Sequence, residues 1–365
     1  MTAGGFRRVV VLSDCHFGET NALLARREVV EGLLSELEGL GGVDVLILLG
    51  DIWDLWRTGL EDAGTRGSSF FEALGEWRGK TEVVLVAGNH DAGLSYWCEE
   101  RKTLDRMGWS MSPATEGTSL AAPGGCRVDG TPADLSRPPG PEEKAVPLTG
   151  AVLAAPGLVS RCGLSLEGLE MSLCYPFLTI EVSGRTFLFM HGHHLDYFSR
   201  SFWWAKTAWL ARWVLRGSPG TSISDIDRLN RPFFELLGST AAVPELRERE
   251  YRFYAALRLL ARLFRFQTGK GASPRRYTSV GENAGEAEEM LLEMLPGFIP
   301  DALVFGHTHR AGLEHVEVGA TRVLMANCGC WLEDEEATAA TYIVIDDAVR
   351  LRRLGDWEIA VALPG

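Results

Sequence analysis

The sequence predicts an α/β fold in which strands and helices alternate at the start of the chain and hairpins follow later. Three short apolar runs, each ending in a polar cluster, predict buried strands at Val9 to Leu12, Val43 to Leu49 and Val83 to Ala87. Helix-like stretches separate these runs, at Asn21 to Leu40 and Ser68 to Arg78. Because such crossovers connect parallel strands, we expect a largely parallel sheet with functional residues at the carboxyl ends of its strands.

Two hairpins are predicted further along the chain, where apolar and polar residues alternate. FLTIEVSGRTFLFMHG turns at Ser183 and Gly184, and LEHVEVGATRVLMANCG repeats this design around Gly319. The second half of the core is therefore expected to be a β-rich sheet.

The composition of the chain is that of a folded protein. Its 365 residues are 46% hydrophobic and 23% charged, with a net charge of −13, which excludes the disordered, collagenous and disulfide-scaffold classes. It contains no uncharged run of about eighteen apolar residues, and the early strand-like run leaves no room for a secretory signal. The seven cysteines are odd in number and scattered, which favours reduced thiols. We therefore expect a cytoplasmic protein.

Two segments interrupt a core that is expected to span residues 1–365. Residues 111–170 hold eight of the sixteen prolines and nine glycines, so we expect a loop-rich surface excursion there. Residues 198–280 hold fifteen Lys and Arg against six Asp and Glu, a charge of +9, and fourteen of the thirty-four aromatic residues. This contrast with the acidic remainder predicts a separate basic subdomain with an anionic partner.

Residues that bind metals in proteins follow several of the predicted strands. Asp14, Asp51 and Asn89 come after the first three apolar runs, so a parallel sheet would bring them together at one edge. Five of the eight histidines also lie in polar clusters at strand ends, namely His16, His90, His191, His307 and His309. Carboxylate, imidazole and amide ligands without thiolate suit Mn, Fe or Zn better than Ca. With one shared carboxylate, these ligands would make two metal sites.

The motifs D-x-H, G-D-x-x-D, G-N-H-D, an isolated histidine and G-H-x-H, in that order, resemble those of the calcineurin-like metallophosphoesterases. The resemblance spans the core from Asp14 to His309. It implies a four-layer α/β/β/α sandwich with two divalent metal ions, Mn²⁺ in the first place and Fe or Zn as alternatives. The ligands that it implies for one metal are Asp14, His16, Asp51 and His309. For the other metal they are Asp51, Asn89, His191 and His307, so that Asp51 bridges both ions.

The same resemblance implies a catalytic pair beside the metals. Two cations would neutralise the phosphoryl oxygens and lower the pKa of an attacking water, and the leaving oxygen then needs a proton. His90, next to Asn89, is the expected proton donor, and Asp54, the second aspartate of G-D-x-x-D, would orient it. The alternatives are a turn residue for His90 and a helix N-terminal carboxylate for Asp54.

Three further residues near the motifs are candidate substrate contacts. His193 and His194 follow His191, and Arg310 follows G-H-T-H. Contact with a substrate phosphate is the functional interpretation, and ordinary loop histidines and a solvated arginine are the alternatives. His315, in the alternating run LEHVEV, is expected to be a strand residue without a functional role.

The basic segment 198–280 falls between His191 and His307, where it can overhang the metal site. Its run FWWAKTAWLARWVLR combines four tryptophans with basic residues, a composition typical of a helix in a membrane interface. The alternative is a helical lid packed on its own core. The arrangement resembles the UDP-diacylglucosamine pyrophosphatase branch of the family, in which a helical insertion at this place covers acyl chains. His90 stands where that branch commonly has arginine.

Several functions stay open from the sequence. The first is hydrolysis of a phosphoester or pyrophosphate bond in a nucleotide- or lipid-linked substrate near an anionic membrane surface. A nuclease, whose basic segment would hold phosphate backbones, is the main alternative. A protein phosphatase is disfavoured because GDIWDLW lacks the arginine that follows the second aspartate in phosphoprotein phosphatases. A non-catalytic scaffold is disfavoured because the ligand set is complete.

Overall fold

The computed structural model describes residues 6–96, 160–166, 169–195, 280–295, 297–333, 339–356 and 358–364, together with Arg231 and Glu235. Its helices are α1 (Arg27–Gly39), α2 (Leu60–Trp77) and α3 (Ala284–Met294), with 3₁₀ turns at Leu23–Ala25 and Val280–Asn283. The strands begin with β1 (Val9–Leu12), β2 (Val45–Leu49), β3 (Glu82–Val86), β4 (Ser160–Leu166), β5 (Leu169–Tyr175), β6 (Phe177–Val182) and β7 (Arg185–Met190). They continue with β8 (Ala302–Phe305), β9 (Gly312–Val318), β10 (Thr321–Asn327), β11 (Thr341–Ile345), β12 (Val349–Arg353) and β13 (Ala360–Ala362).

The strands form two sheets. The larger sheet has eight strands in the order β13-β12-β11-β1-β2-β3-β5-β4, and the smaller has five in the order β6-β7-β8-β10-β9. Strands β1, β2, β3 and β5 run parallel in the larger sheet, and β7, β8 and β10 run parallel in the smaller one. Antiparallel neighbours flank both parallel sets. Within each sheet, the carboxyl ends of the parallel strands therefore lie at one edge.

Three apolar cores separate four layers. The first lies between α1, α2 and the larger sheet, the second between the two sheets, and the third between the smaller sheet and α3. Representative buried side chains of these cores are, in order, Leu33, Phe70 and Leu46; Val11, Ile47 and Phe189; and Met290, Leu303 and Phe305. Because successive side chains of a strand point to opposite faces, the apolar run of β1 supplies both the first core and the second. The order helix, sheet, sheet, helix confirms the predicted α/β/β/α sandwich.

The predicted helices are present, with different boundaries. A 3₁₀ turn precedes α1, which is shorter than the predicted stretch from Asn21 to Leu40, whereas α2 begins at Leu60 rather than at Ser68. Glycines in the first half of α2 weaken its helical pattern. One of them, Gly67, has a packing reason, since a Cβ at this position would lie 3.1 Å from the Phe17 ring.

Both predicted hairpins are confirmed. Strands β6 and β7 pair in antiparallel register around Ser183 and Gly184, whose φ angles of 51° and 77° are those of a tight hairpin turn. Strands β9 and β10 pair in the same way around Gly319, where φ is 61°.

The two predicted interruptions lie largely outside the described residues. Residues 160–166, at the end of the expected excursion 111–170, instead form β4 and pair with β5. The serines and glycine of this strand give it little apolar signal, which is why the sequence did not predict it. Residues 111–159, and all of 198–280 except Arg231, Glu235 and Val280, are not described, so the predicted loop and helical subdomain stay predictions.

Two further expectations concern redox state and membranes. Cys15, Cys174, Cys328 and Cys330 are buried, and the expected reduced state of the seven cysteines stays a prediction. No helix in the described part of the chain has the length and apolar character needed to cross a membrane.

Candidate metal centre

Seven side chains from five loops converge at the carboxyl ends of parallel strands in both sheets. The loops after β1, β2 and β3 supply Asp14, His16, Asp51 and Asn89, and those after β7 and β8 supply His191, His307 and His309. His307 is half-buried, and the other six side chains are buried. The structure therefore brings six of the seven suggested metal ligands into two clusters, and the seventh, Asn89, directly precedes His90, whose backbone N–H donates to Asp51.

One group of these side chains consists of Asp14, His16 and His309. The Nε2 atom of His309 lies 3.1 Å from Asp14 Oδ1 and 3.1 Å from His16 Nε2. The potential ligand atoms of the three residues all lie within 4.8 Å of one another. This spacing allows a single cation to contact all three.

A second group of side chains consists of Asp51, His191 and His307, with the same spacing of potential ligand atoms. Its closest contact joins His191 Nε2 to Asp51 Oδ2, at 3.1 Å. The same Oδ2 atom lies 3.9 Å from His16 Nε2, in the first group. Asp51 thus lies between the two groups, as a bridging ligand must.

One polar atom beside these groups, Asn89 Oδ1, lies on a buried side chain and has no hydrogen-bond partner within the described residues. Asp14 Oδ1 and His191 Nε2 are also buried, and each faces an oppositely charged or imidazole atom of its own group. Burial of a polar group without a partner is costly, and a cation offers such lone pairs the interaction that they lack. The chemistry of these donors therefore fits a site for divalent metals.

Both aspartates are fixed by backbone donors. The backbone N–H of His307 donates to Asp14 Oδ2 at 2.9 Å, and that of His90 donates to Asp51 Oδ1 at 2.9 Å. In each carboxylate the second oxygen is left to face a histidine cluster. His191 is oriented similarly, because its Nδ1 lies 3.0 Å from the Leu49 carbonyl, and donation there directs Nε2 into the site.

The backbone of the ligand loops is unusual. Positive φ angles of 49° to 64° occur at five of the seven ligand positions: Asp14, His16, Asp51, His307 and His309. Residues other than glycine avoid this region, and where they adopt it the site is often functional. A neighbouring glycine permits the close approach of two loops, since a Cβ on Gly306 would overlap Ser13 Oγ and Asp14 Oδ2.

The buried aspartates and imidazoles of the two groups shift one another's pKa values strongly. Burial would lower the pKa of His191, but Asp51 and Asp14 raise it to about 10. Burial likewise opposes the shift at His16, whose pKa the Asp14 and Asp54 carboxylates raise to about 9. Because metals bind neutral imidazole, cation binding must displace protons from both rings.

The carboxylates show the reciprocal effect. Burial would raise the pKa of Asp14 and of Asp51, but nearby imidazoles, His309 and His191 foremost, hold both pKa values well below the ordinary range. Both groups are therefore ionised at neutral pH, and they present two buried negative charges to a metal.

His90 and Asp54 form a hydrogen-bonded pair beside these groups. His90 Nδ1 lies 2.7 Å from Asp54 Oδ1, while its Nε2 lies 3.9 Å from Asp51 Oδ2. The other Asp54 oxygen lies 3.3 Å from His16 Nδ1, a contact that the sequence did not predict. Asp54 is fully buried and precedes α2 by several residues, so it is not the helix N-terminal carboxylate considered above. Burial lowers the pKa of His90, and Asp54 and Asp51 oppose this shift.

Two of the candidate substrate contacts, His193 and His194, lie beside the second group. His193 and His194 are buried, with ring centres 3.9 Å apart, and the His193 ring lies 5.7 Å from that of His191. Arg310 is exposed directly after His309. His315 lies in β9, where its Nε2 is 2.8 Å from the Leu363 carbonyl, in keeping with a structural residue.

Two residues that sequence reasoning missed hold the ligand loops in place. Asp91, the last residue of G-N-H-D, accepts hydrogen bonds from the backbone of Ile52 at 2.8 Å and of Gly88 at 2.5 Å. Burial and the Asp51 charge raise the pKa of Asp91 to about 6. Asn327 donates from Nδ2 to the Gly306 carbonyl at 2.8 Å. The available signals were the position of Asp91 at the end of G-N-H-D and the position of Asn327 at the end of an apolar strand, before C-G-C.

Replacement of Asp91 by alanine is expected to weaken metal binding by about 10- to 100-fold, because the loops carrying Asp51 and Asn89 lose their shared acceptor. Metal titration by calorimetry measures this change. Asp44→Ala is the matched control. Asp44 directly precedes β2, away from the site, and accepts hydrogen bonds from the backbone N–H groups of Arg7 and Arg8. Equal metal affinity in both variants would contradict the role given to Asp91.

Comparison with protein families gives an independent result. Residues 7–142 match the family model described as calcineurin-like phosphoesterase. The matched region contains Asp14, His16, Asp51 and Asn89, whereas the histidines that complete the two groups come from later loops. The match covers less than half of the chain and shows that this part is similar to the calcineurin-like phosphoesterases. This similarity supports a phosphoester hydrolase, and the aspartate and histidine clusters fit the dinuclear metal centre of that family.

Comparison with known proteins adds little detail. The chain aligns over 99% of its length with GAP50, the anchor in the inner membrane complex of Plasmodium, at 11% identity, 89% coverage of that chain and a TM-score of 0.35. A dimetal phosphatase from Danio rerio aligns over 99% of this chain and 100% of its own, at 12% identity and a TM-score of 0.36. Likenesses at this level carry no argument about function. No curated protein matches the sequence.

Proposed function

We propose that the protein is a phosphoesterase that uses two divalent metal ions, Mn²⁺ in the first place, to hydrolyse a phosphoester or pyrophosphate bond in a nucleotide- or lipid-linked substrate. One ion would be held by Asp14, His16, Asp51 and His309, and the other by Asp51, Asn89, His191 and His307. The observation that carries the proposal is the position of Asp51, whose Oδ2 lies 3.1 Å from His191 Nε2 and 3.9 Å from His16 Nε2.

Bound cations would neutralise the phosphoryl oxygens and lower the pKa of the attacking water. In the proposed reaction His90 protonates the leaving oxygen from Nε2, the ring nitrogen that does not face Asp54. Asp54 keeps the ring oriented through Nδ1, at 2.7 Å. His193, His194 and Arg310 are the proposed substrate contacts.

Metal analysis tests the proposed centre. We expect the purified protein to bind two Mn²⁺ ions per chain after loading and to hydrolyse a simple aryl phosphodiester, because both groups have complete ligand sets. Chelator treatment is expected to remove the activity, and added Mn²⁺ is expected to restore it. One bound ion or none at saturating Mn²⁺, with the fold intact, would contradict the dinuclear proposal.

A row of aromatic contacts supports a place for segment 198–280 near the substrate. The guanidinium carbon of Arg231, from this segment, lies 4.9 Å from the centre of the Tyr96 ring, a cation–π distance. Tyr96 contacts Tyr175 edge to face, and the Tyr175 ring stacks at 6.4 Å on that of His193. His193 in turn lies 6.4 Å from the ring of His307. A described residue of the segment is thus linked to the proposed centre through a series of ring contacts, which is compatible with a lid.

A substrate screen separates the candidate classes. The Mn²⁺-loaded enzyme would be compared on nucleotide-linked lipids, soluble nucleotide diphosphates and single-stranded DNA. We expect turnover of the lipid-linked pyrophosphates to exceed that of DNA. Preferential DNA cleavage, with binding that weakens steeply as salt rises, would replace the proposal with a nuclease.

The proposed location is the cytoplasm, at the periphery of an anionic membrane. Each Lys or Arg near such a surface contributes about 1 kcal/mol, so the basic segment is expected to bind vesicles in a salt-dependent way. Replacing all four of Trp203, Trp204, Trp209 and Trp213 by alanine is expected to reduce co-sedimentation with anionic vesicles and turnover of acyl-chain substrates. Hydrolysis of a small soluble ester is expected to survive.

Trp77→Ala provides the matched control, because Trp77 is a half-buried tryptophan at the end of α2, outside the basic segment. A wild-type protein that does not bind vesicles at low salt would argue for a lid packed on its own core. The same conclusion would follow if the four replacements unfolded the protein.

A further inference from the structure

The ring of His90 is held from three directions. Its Nδ1 edge lies against Asp54 Oδ1, at 2.7 Å. One face stacks on the indole of Trp56, with ring centres 4.1 Å apart and an angle of 21° between the planes. The His16 ring meets it edge-on, with ring centres 5.0 Å apart. These contacts leave the Nε2 edge facing the proposed metals, 3.9 Å from Asp51 Oδ2.

Two of the three contacts come from one short turn. Asp54 opens this turn, which is closed by hydrogen bonds from the backbone N–H groups of Arg57, at 3.3 Å, and Thr58, at 3.1 Å, to the Asp54 carbonyl. Trp56 lies inside the turn and is half-buried. The hydrogen-bond acceptor for His90 and the aromatic surface beneath it are therefore positioned together.

The two contacts restrict different motions of the imidazole. A hydrogen bond at Nδ1 fixes one edge of the ring but allows the ring to tilt about the line between the two atoms. A parallel indole at 4.1 Å blocks that tilt, because the imidazole would have to leave its stacked geometry. Tilting would carry Nε2 away from the phosphate, and small errors in the placement of a reacting group lower rates strongly.

We infer that Trp56 is a positioning residue that holds His90 with its Nε2 aimed at the leaving oxygen. The inference rests on the proposed function, in which His90 is the proton donor. In that step water attacks phosphorus and releases one proton to solvent, the bond from phosphorus to the leaving oxygen breaks, and the His90 proton moves to that oxygen. Solvent then returns a proton to the ring.

The size of the effect should depend on the leaving group. A nitrophenol is acidic enough to leave as an anion, whereas phenol needs more help from a proton donor. A misplaced His90 therefore slows release of phenol and has little effect on release of 4-nitrophenol. Loss of general structural integrity, by contrast, would slow both reactions alike.

The experiment compares kcat and KM of Mn²⁺-loaded enzyme on methyl phenyl phosphate and methyl 4-nitrophenyl phosphate. For Trp56→Leu we expect kcat on the phenyl ester to fall about tenfold, part of the 10²- to 10⁴-fold contribution of a proton donor. KM and the rate on the nitrophenyl ester are expected to stay close to wild type. Trp56→Phe, which keeps an aromatic face, is expected to retain most of the activity on both esters.

Three variants complete the test. Trp77→Leu removes another half-buried tryptophan and is expected to change neither rate. If Trp56→Leu does not fold, Trp56→Met takes its place. His90→Ala tests the proton-donor role of His90 separately from the positioning role of Trp56. If it slows both esters equally, the proton-donor role fails. If His90→Ala discriminates between the esters but the Trp56 variant does not, the role of Trp56 alone is overturned.

Discussion

Asp51→Ala is expected to reduce hydrolysis to the rate of the uncatalysed reaction. Its carboxylate is the only side chain proposed to contact both ions, and its Oδ1 also accepts the backbone N–H of His90 at 2.9 Å. Removing it takes a ligand from each metal and releases the loop that carries the proton donor. Metal analysis and steady-state kinetics on the same preparation measure the two effects together.

Asp14→Ala is the comparison variant for this prediction. Asp14 belongs to one group of ligands only, so its loss is expected to leave the second ion bound, whereas Asp51→Ala weakens both. If the Asp51 variant retained two ions per chain with wild-type affinity, the bridging role would belong to another residue.

His90→Ala is expected to leave both metals bound and to slow hydrolysis by roughly 10²- to 10⁴-fold, the usual contribution of general acid catalysis. The metals are expected to stay because the bond from His90 to Asp51 is made by the backbone N–H, which alanine keeps. The His90 side chain is held by Asp54 and Trp56 and is not a proposed ligand. The measurement pairs metal content with kcat on an aryl phosphodiester.

His315→Ala is the matched control for His90→Ala, because it removes a histidine from β9 that contacts the Leu363 carbonyl. It is expected to retain full activity. Loss of metal in the His90 variant would show that His90 is a ligand rather than a proton donor. An unchanged rate would remove it from the mechanism altogether.

The strand ends were predictable from the sequence because apolar runs and polar clusters are local signals. The runs before Asp14, Asp51 and Asn89 became β1, β2 and β3, whose parallel pairing brings these three side chains to one edge. His191 and His307 follow β7 and β8 of the other sheet, so their approach depends on how two sheets pack, which no local pattern contains. Only the family resemblance suggested that pairing in advance.

The supporting contacts were not predictable for a similar reason. In the sequence, Trp56 looks like any tryptophan of a core or a lid. Its stacking on His90 depends on the shape of the turn after Asp54. Asp91 is adjacent to a predicted catalytic residue, but its bond to Ile52 joins positions that are distant in sequence. Hydrogen bonds of this kind follow from tertiary structure, whereas the motifs show only which residue types are present.

At the five proposed ligands with a left-handed backbone, the residue that the chemistry needs is less stable than a glycine would be. Each such conformation costs a residue other than glycine on the order of 1 kcal/mol or more, and glycine adopts it without that cost. A glycine at His309, for example, would remove an imidazole while relaxing a φ of 58°. Inactive variants at these positions can therefore accumulate in cells as well as the active enzyme does. A mutational scan scored by protein abundance would overlook the residues on which catalysis depends, and one scored by hydrolysis would identify them.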